Sequence, residues 1–168
     1  MKVQELMTKD VKTCSRGNNL AEAAELMWDG DCGALPVVDD EGKVVGIVSD
    51  RDICFAVATK GRLASEILVG EVASGRPLYT CAPGDDVHDA LSTMQWHQVR
   101  RIPVVNDDGK IAGILSLSDI ILAAEIEARG QTRGVTDGDA LATMKAICEQ
   151  RRAASNAAAA SSGSAATP

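Results

Sequence analysis

Aromatic residues and basic charge are both scarce in this sequence. Two tryptophans, one tyrosine and one phenylalanine make up 2% of its 168 residues, and the net charge is −7. Nucleic-acid-binding domains usually present a basic face and aromatic platforms, so this composition argues against a nucleic-acid partner. An anionic ligand would need a local basic cluster, for which Arg51 and the adjacent Arg100 and Arg101 are the candidates.

Long apolar runs and paired cysteines are also absent. No run approaches the roughly 20 residues of a membrane span, and the N-terminal "MKVQELMTKD" lacks the apolar stretch of a secretory leader. We therefore expect a cytoplasmic protein with no membrane partner. The five cysteines are far apart and form no Cys-x-x-Cys pair of the zinc-binding kind. We expect reduced, mostly buried thiols at Cys14, Cys32, Cys54, Cys81 and Cys148.

The sequence contains an internal repeat. The stretch "GIVSDRD" at residues 46–52 returns sixty-seven residues later as "GILSLSD" at residues 113–119. The same shift aligns "PVVDDEGKVVGIVS" with "PVVNDDGKIAGILS" without a gap. Two copies of one folding unit explain this self-similarity.

Each copy predicts two helices and a hairpin. Apolar residues recur at helical spacing from Leu20 to Met27, and Asn19 and Glu22 form a capping-box pattern before them. Two β-branched runs around a glycine turn predict the hairpin, and a second helix starts near Asp50 or Asp52. The predicted order is strand, helix, strand, strand, helix, which gives an α+β fold of two pseudo-symmetric repeats.

Segments outside the copies complete the predicted domain organisation. Residues 1–62 form the first repeat with a lead-in helix over residues 1–10, and residues 63–130 form a linker and the second repeat. The linker itself predicts a helical turn but no chemistry. Residues 131–152 predict a C-terminal helix, and the Ala- and Ser-rich residues 153–168 predict a disordered tail. The apolar side of the C-terminal helix is predicted to comprise Leu141, Met144, Ile147 and Cys148.

The doubled motif combines three groups that suit a sugar phosphate. A glycine in the strand lets a ligand approach the backbone, a serine hydroxyl at a helix start receives a phosphate, and an aspartate accepts hydrogen bonds from ribose hydroxyls. The alternative is that serine and aspartate only cap the helix that follows. Both interpretations stay open at this stage.

The repeated residues resemble a known family. The stretches "DGDCGALPVVDDEGKVVGIVSDRDI", "MQWHQVRRIPVV" and "GILSLSDI" are similar to the paired CBS repeats, named for cystathionine β-synthase, whose tandem form is called a Bateman module. The resemblance covers about residues 3–129 and extends to small stand-alone bacterial members with no catalytic domain.

The resemblance implies two clefts between the repeats that can take AMP, ADP, ATP, NAD or S-adenosylmethionine, with no tightly bound cofactor. It implies ribose contacts at the aspartates, base contacts at the threonines and phosphate contacts at the paired arginines. The first copy has Gly33 and Ala34 in place of those arginines, so we expect unequal sites. The family often has threonine where both copies here have serine. The candidate ligand-binding residues are Thr13, Ser49, Arg51, Asp52, Thr80, Arg100, Arg101, Ser116, Ser118 and Asp119.

These observations predict a regulatory module and not an enzyme. No nucleophile with an oriented base accompanies the carboxylates, and general acid and base catalysis needs such partners. We expect an energy-sensing protein that binds an adenine nucleotide, forms a homodimer through its helices and acts on an unknown effector protein. The alternatives are a ligand-free dimerisation or interaction scaffold and, further off, a thiol-based or metal-based sensor.

Overall fold

A computed structural model of the chain describes residues 1–128 and 134–147. Their contacts divide the chain into two compact units. One unit comprises Met7–Pro83 and Pro103–Ile114, and the other comprises Met1–Leu6, Gly84–Ile102 and the described residues from Leu115 onward. The sequence boundaries at residues 62 and 130 follow the repeats instead, and they stay a prediction.

The first copy folds in the predicted order. Its elements are β1 (Cys14–Ser15), α1 (Leu20–Asp29), β2 (Ala34–Val38), β3 (Val44–Ser49) and α2 (Asp50–Lys60). The three strands form one sheet in the order β1-β2-β3, with β1 parallel to β2 and β2 antiparallel to β3. Gly42 lies in the hairpin turn with a φ of 78°, a left-handed conformation that glycine adopts without strain.

The second copy repeats the pattern with a shorter first strand. Its elements are α4 (Val87–His97), β4 (Arg101–Val105), β5 (Ile111–Ser116) and α5 (Leu117–Ala128), and the first strand is a single parallel bridge between Cys81 and Val104. Strands β4 and β5 form a two-stranded sheet. The α+β class is confirmed. The sequence also predicts that the second helix of this copy ends at Gly130, and that residue and the predicted tail lie outside the described residues.

The linker and the C-terminal segment supply the remaining helices. A 3₁₀ turn at Ala64–Glu66 and the short α3 (Val69–Ala73) confirm the helical turn predicted between the copies. Helix α6 covers residues 137–147. None of the described helices is long and apolar enough to cross a membrane.

Helix α1 packs its apolar stripe on the first sheet. Leu20 and Met27 are buried in one cluster with Leu35 and Val48 of β2 and β3. The helix begins as predicted, because the Asn19 side chain accepts a hydrogen bond from the Glu22 backbone (3.0 Å) and Glu22 accepts one from the Asn19 backbone (3.2 Å). The periodicity and the cap therefore both agree with the sequence prediction.

The predicted lead-in helix over residues 1–10 is wrong. Only Val3–Glu5 form a 3₁₀ turn. Further on, the Thr8 backbone exchanges two hydrogen bonds of 2.9 Å with Ile114 of β5. Because this backbone pairs with another strand, its N–H and C=O groups are not free for a helix.

The predicted apolar side of the C-terminal helix is confirmed at Ile147 and wrong at Leu141 and Met144. Its buried positions include Thr143 and Ile147, whereas Leu141 is 55% and Met144 38% exposed. Thr143 is fully buried. Its hydroxyl tolerates burial because it donates to the Asp139 carbonyl (2.8 Å) and accepts from the Gln95 side chain (2.9 Å). Cys148 lies outside the described residues.

Candidate ligand-binding site

The first copy of the motif closes a hydrogen-bonded box at the start of α2. Ser49 is the N-cap residue, and its hydroxyl accepts a hydrogen bond from the Asp52 backbone N–H (3.2 Å). In return, Asp52 Oδ2 accepts hydrogen bonds from the Ser49 backbone N–H (3.0 Å) and the Ser49 hydroxyl (2.7 Å). Each side chain thus accepts a hydrogen bond from the other residue's backbone N–H, which has no partner within the helix.

The second copy closes the same box. Asp119 Oδ2 accepts hydrogen bonds from the Ser116 backbone N–H (2.7 Å) and the Ser116 hydroxyl (2.6 Å), and the Asp119 N–H donates back to that hydroxyl (3.3 Å). The capping role that the sequence left open is therefore confirmed in both copies. It uses one carboxylate oxygen of each aspartate, so the second oxygen of the carboxylate can serve another partner.

Arg100, the first residue of the basic pair, and its counterpart Gly33 each contact the residue after the box serine through their backbone. In the second copy, the Leu117 N–H donates to the Arg100 carbonyl (2.9 Å), and in the first copy the Asp50 N–H donates to the Gly33 carbonyl (3.2 Å). Arg100 and Arg101 are both exposed. The repeat geometry thus places an arginine beside the second box and a glycine beside the first.

Arg76 of the linker was not predicted to contribute. Its guanidinium Nη1 donates to Asp52 Oδ1 in an ion pair, with the Asp52 side chain 17% and the Arg76 side chain 57% exposed. No sequence expectation included this ion pair. The shift of sixty-seven residues pairs Arg76 with Lys9, and neither residue belongs to the repeated motif.

The pKa of Asp52 reflects its partners. Burial alone raises this pKa, but the hydrogen bonds from Ser49 and Arg76 and the positive charge of Arg76 outweigh it, so the pKa lies below its usual value. A carboxyl with a lowered folded pKa stabilises the fold at pH values above its unfolded pKa of about 4. That contribution is lost as the pH falls through the lowered folded value.

The other candidates lie at the edges of these boxes. Thr13 directly precedes β1, and Thr80 directly precedes the Cys81 bridge. In the part of the chain that the structure describes, neither threonine hydrogen-bonds to a box residue. The guanidinium of Arg51 lies 5.2 Å from the ring centre of Phe55 on its own helix, and Ser118 is exposed in the first turn of α5.

The motif glycines face protein and not open space for a ligand. A Cβ at Gly113 would lie 2.7 Å from the Thr8 carbonyl oxygen and 2.7 Å from Met7 Sδ. A Cβ at Gly46 would lie 3.3 Å from the Ala73 methyl. Each glycine therefore makes room for another segment of the chain, and the approach of a ligand at these glycines stays a prediction.

Thiols and metal ligands are not grouped in the described part of the chain. Cys14 and Cys81 are buried or half-buried, but Cys32 and Cys54 are exposed, so the prediction of mostly buried thiols is wrong. Burial raises the pKa of the Cys14 thiol to about 11, which makes it a poor nucleophile at neutral pH. No group of three or more His, Cys, Asp or Glu side chains among the described residues could hold a metal ion.

Comparison with known proteins identifies the family. The chain belongs to the CBS domain family, whose model matches residues 3–59 and 69–125. It is 34% identical over 142 residues to YlbB of Bacillus subtilis (strain 168), which covers 82% of this chain and 93% of that protein. The predicted family is therefore confirmed.

Two solved structures of similar proteins contain adenosine derivatives. CBSX2 in complex with AMP matches with a TM-score of 0.65 and 29% identity, covering 76% of this chain and 98% of that one. The CBS domain pair of MJ0100, in complex with 5-methylthioadenosine and S-adenosyl-L-methionine, matches with a TM-score of 0.65 and 26% identity over the same shares. Similar folds thus bind ligands that share the adenosyl group.

Proposed function

We propose that this protein is a non-catalytic regulatory module that binds an adenosyl ligand at its Ser-Asp boxes. The observation that carries the proposal is the duplicated box, in which each aspartate uses one carboxylate oxygen for its own helix. The second oxygen can accept hydrogen bonds from the vicinal ribose hydroxyls that all adenosyl ligands share. The ligand classes are AMP, ADP, ATP, NAD and S-adenosylmethionine, and the solved relatives support the adenosyl group they share.

The remaining candidate residues supply the other contacts. Thr13 and Thr80 border the base, and Ser49 and Ser116 hold the aspartates in place. Arg100 and Arg101 bind phosphate oxygens, because guanidinium groups match phosphate geometry and the protein is otherwise acidic. A ligand changes the behaviour of the protein only if it binds two arrangements with different affinity.

Signalling passes through a surface that a second protein can contact. Phe55 on α2 is 54% exposed, and its counterpart in the second copy, Leu122 on α5, is 59% exposed. Apolar side chains exposed at matching positions of two helices favour burial against another subunit. We propose a cytoplasmic homodimer that senses cellular energy state and conveys it to an effector protein.

A thermal-shift panel of adenine ligands tests the proposal. One of AMP, ADP, ATP, NAD or S-adenosylmethionine, supplied at about a hundred times its Kd, is expected to add roughly 2.7 kcal/mol to the free energy of unfolding. For a chain of this size the Tm then rises by roughly 5 to 10 °C. Guanosine and cytidine nucleotides at the same concentration are the controls, and they are expected to give a smaller shift.

A ligand-free dimerisation scaffold is the second candidate function, and the exposed Phe55 and Leu122 favour it. The panel separates the two, because a scaffold gives no Tm shift with any adenine ligand. Light scattering of the same samples then shows a dimer mass that does not depend on ligand. A flat panel would therefore replace the ligand-binding proposal with the scaffold.

Replacing Arg100 and Arg101 together by alanine is expected to lower the affinity for ATP about tenfold to a hundredfold. The affinity for adenosine is expected to fall much less. The reason is that charge-assisted hydrogen bonds of about 1.5 to 3 kcal/mol reach only the phosphates. Calorimetric titration with ATP and adenosine measures both affinities. Equal losses for the two ligands would mean that the double variant distorts the site instead of removing phosphate contacts.

A further inference from the structure

The two boxes differ in the partner of the carboxylate oxygen that takes no part in the helix cap. Asp52 Oδ1 accepts a hydrogen bond from the Arg76 guanidinium. For Asp119, the ion pairs found within the described residues include no lysine or arginine partner. The shift of sixty-seven residues pairs Arg76 with Lys9 before the first copy, and the ion pairs found within the described residues include none of Lys9. Both copies therefore have a Ser-Asp box, but among the described residues only the aspartate of the first box has an arginine partner.

Arg76 also compensates for a residue that the first copy lacks. The carbonyl that accepts a hydrogen bond at the start of α2 belongs to Gly33, whereas the equivalent carbonyl at α5 belongs to Arg100. The first box consequently has no arginine at that repeat position. The linker supplies one through Arg76, whose side chain is 57% exposed.

The ion pair sets a condition on any ligand of Asp52. A ribose diol that hydrogen-bonds to Oδ1 has to displace the guanidinium of Arg76 or share the oxygen with it. A neutral nucleoside offers the displaced guanidinium no new partner, whereas a phosphate group on the same ligand does. The exchange is therefore more favourable for a phosphorylated ligand.

We propose that Arg76 is a specificity-determining residue that holds Asp52 in the empty protein and binds the ligand's phosphate once ribose has taken its place. This inference rests on the proposed function, because it requires an adenosyl ligand at the first box. It assigns phosphorylated adenosine derivatives to the Asp52 box. It also assigns selectivity against free adenosine to a linker residue outside the repeated motif.

Calorimetric titration of AMP and adenosine into Arg76→Ala tests the inference. The titrations use an Asp119→Asn background, so that the heat reports the first box. Loss of Arg76 is expected to lower the affinity for AMP. Adenosine is expected to bind equally well or more tightly, because it no longer competes with the guanidinium for Asp52. The ratio of the two affinities is expected to fall about tenfold to a hundredfold.

Arg62→Ala is the matched control. Arg62 is another half-exposed arginine of the same unit, and it pairs with Glu71 (3.0 Å) and not with Asp52. It is expected to leave the ratio of affinities unchanged. Thermal unfolding of both variants confirms folding, since exposed ion pairs contribute little to stability.

Each other outcome has a definite meaning. If the unmodified chain binds neither AMP nor adenosine, the inference fails, and the panel of adenine ligands decides separately whether the proposed function stands. If the unmodified chain binds AMP but the Asp119→Asn chain does not, the first box is no site and only the inference is overturned. An unchanged AMP to adenosine ratio in Arg76→Ala also overturns the inference and leaves the proposed function standing.

Discussion

Gly113→Ala is expected to lower the free energy of unfolding by about 2 to 3 kcal/mol and the Tm by roughly 4 to 12 °C. The added Cβ would lie 2.7 Å from the Thr8 carbonyl oxygen. That carbonyl is held in place by a 2.9 Å hydrogen bond from the Ile114 N–H, and Thr8 donates to Ile114 in turn. Relief of the clash therefore requires the two backbones to separate, which weakens both hydrogen bonds.

Gly46→Ala is the control for this substitution, because it changes the equivalent residue of the first copy. Its Cβ would lie 3.3 Å from the Ala73 methyl, so the backbone that carries this methyl has to move by only a few tenths of an ångström. We expect a loss of less than about 1 kcal/mol. Thermal unfolding followed by circular dichroism measures the stability of both variants. Equal losses of stability would show that contact with Thr8 is not what makes a side chain at residue 113 unfavourable.

Replacing Asp52 and Asp119 together by asparagine is expected to lower the affinity of each box for the best adenine ligand by tenfold to a hundredfold. Asparagine keeps a carbonyl oxygen for the helix cap but loses the charge and one acceptor oxygen. Loss of a charge-assisted hydrogen bond of about 1.5 to 3 kcal/mol gives a change of this size. Calorimetric titration of the single and double variants measures the effect.

Asp50→Asn is the matched control for the double variant. It removes a carboxylate from the first turn of α2 without changing the box, because Asp50 hydrogen-bonds to the Arg51 backbone (2.6 Å). Its ligand affinity is expected to stay within about twofold of the parent, since it contributes no hydrogen bond to the ribose. An unchanged affinity in the double variant would mean that the boxes serve folding alone.

The repeat made much of the fold predictable. The apolar spacing from Leu20 to Met27 and the Asn19 cap act within one helix, so they can be recognised without knowledge of distant contacts. The hairpins follow from β-branched runs around glycine turns. The family resemblance then fixed how two such copies are organised, and the family model confirms both copies.

Features that depend on distant partners were not predictable. The segment around Thr8 has a helix-like composition, but its backbone pairs with Ile114, more than a hundred residues away. Thr143 is buried through a hydrogen bond to Gln95, which an apolar pattern on α6 does not reveal. Sequence periodicity reports only which residues share a face, and it cannot identify what covers that face.

The same distinction applies to the candidate site. Ser49 and Asp52 were found because they recur in the second copy at the same spacing. Arg76 was missed because it occurs once, in a linker, and approaches Asp52 through the fold. Repetition therefore identifies what the two boxes share and the differences at aligned positions such as Gly33 and Arg100, but it does not reveal a contact from outside the motif.

A crystal structure of the protein with the best ligand of the panel shows directly whether the boxes bind ribose. We expect ribose hydroxyls within about 2.5 to 3.0 Å of a carboxylate oxygen of Asp52 or Asp119, with the Ser-Asp box of that copy intact. A ligand bound elsewhere, or bound with its ribose away from both aspartates, would contradict this expectation.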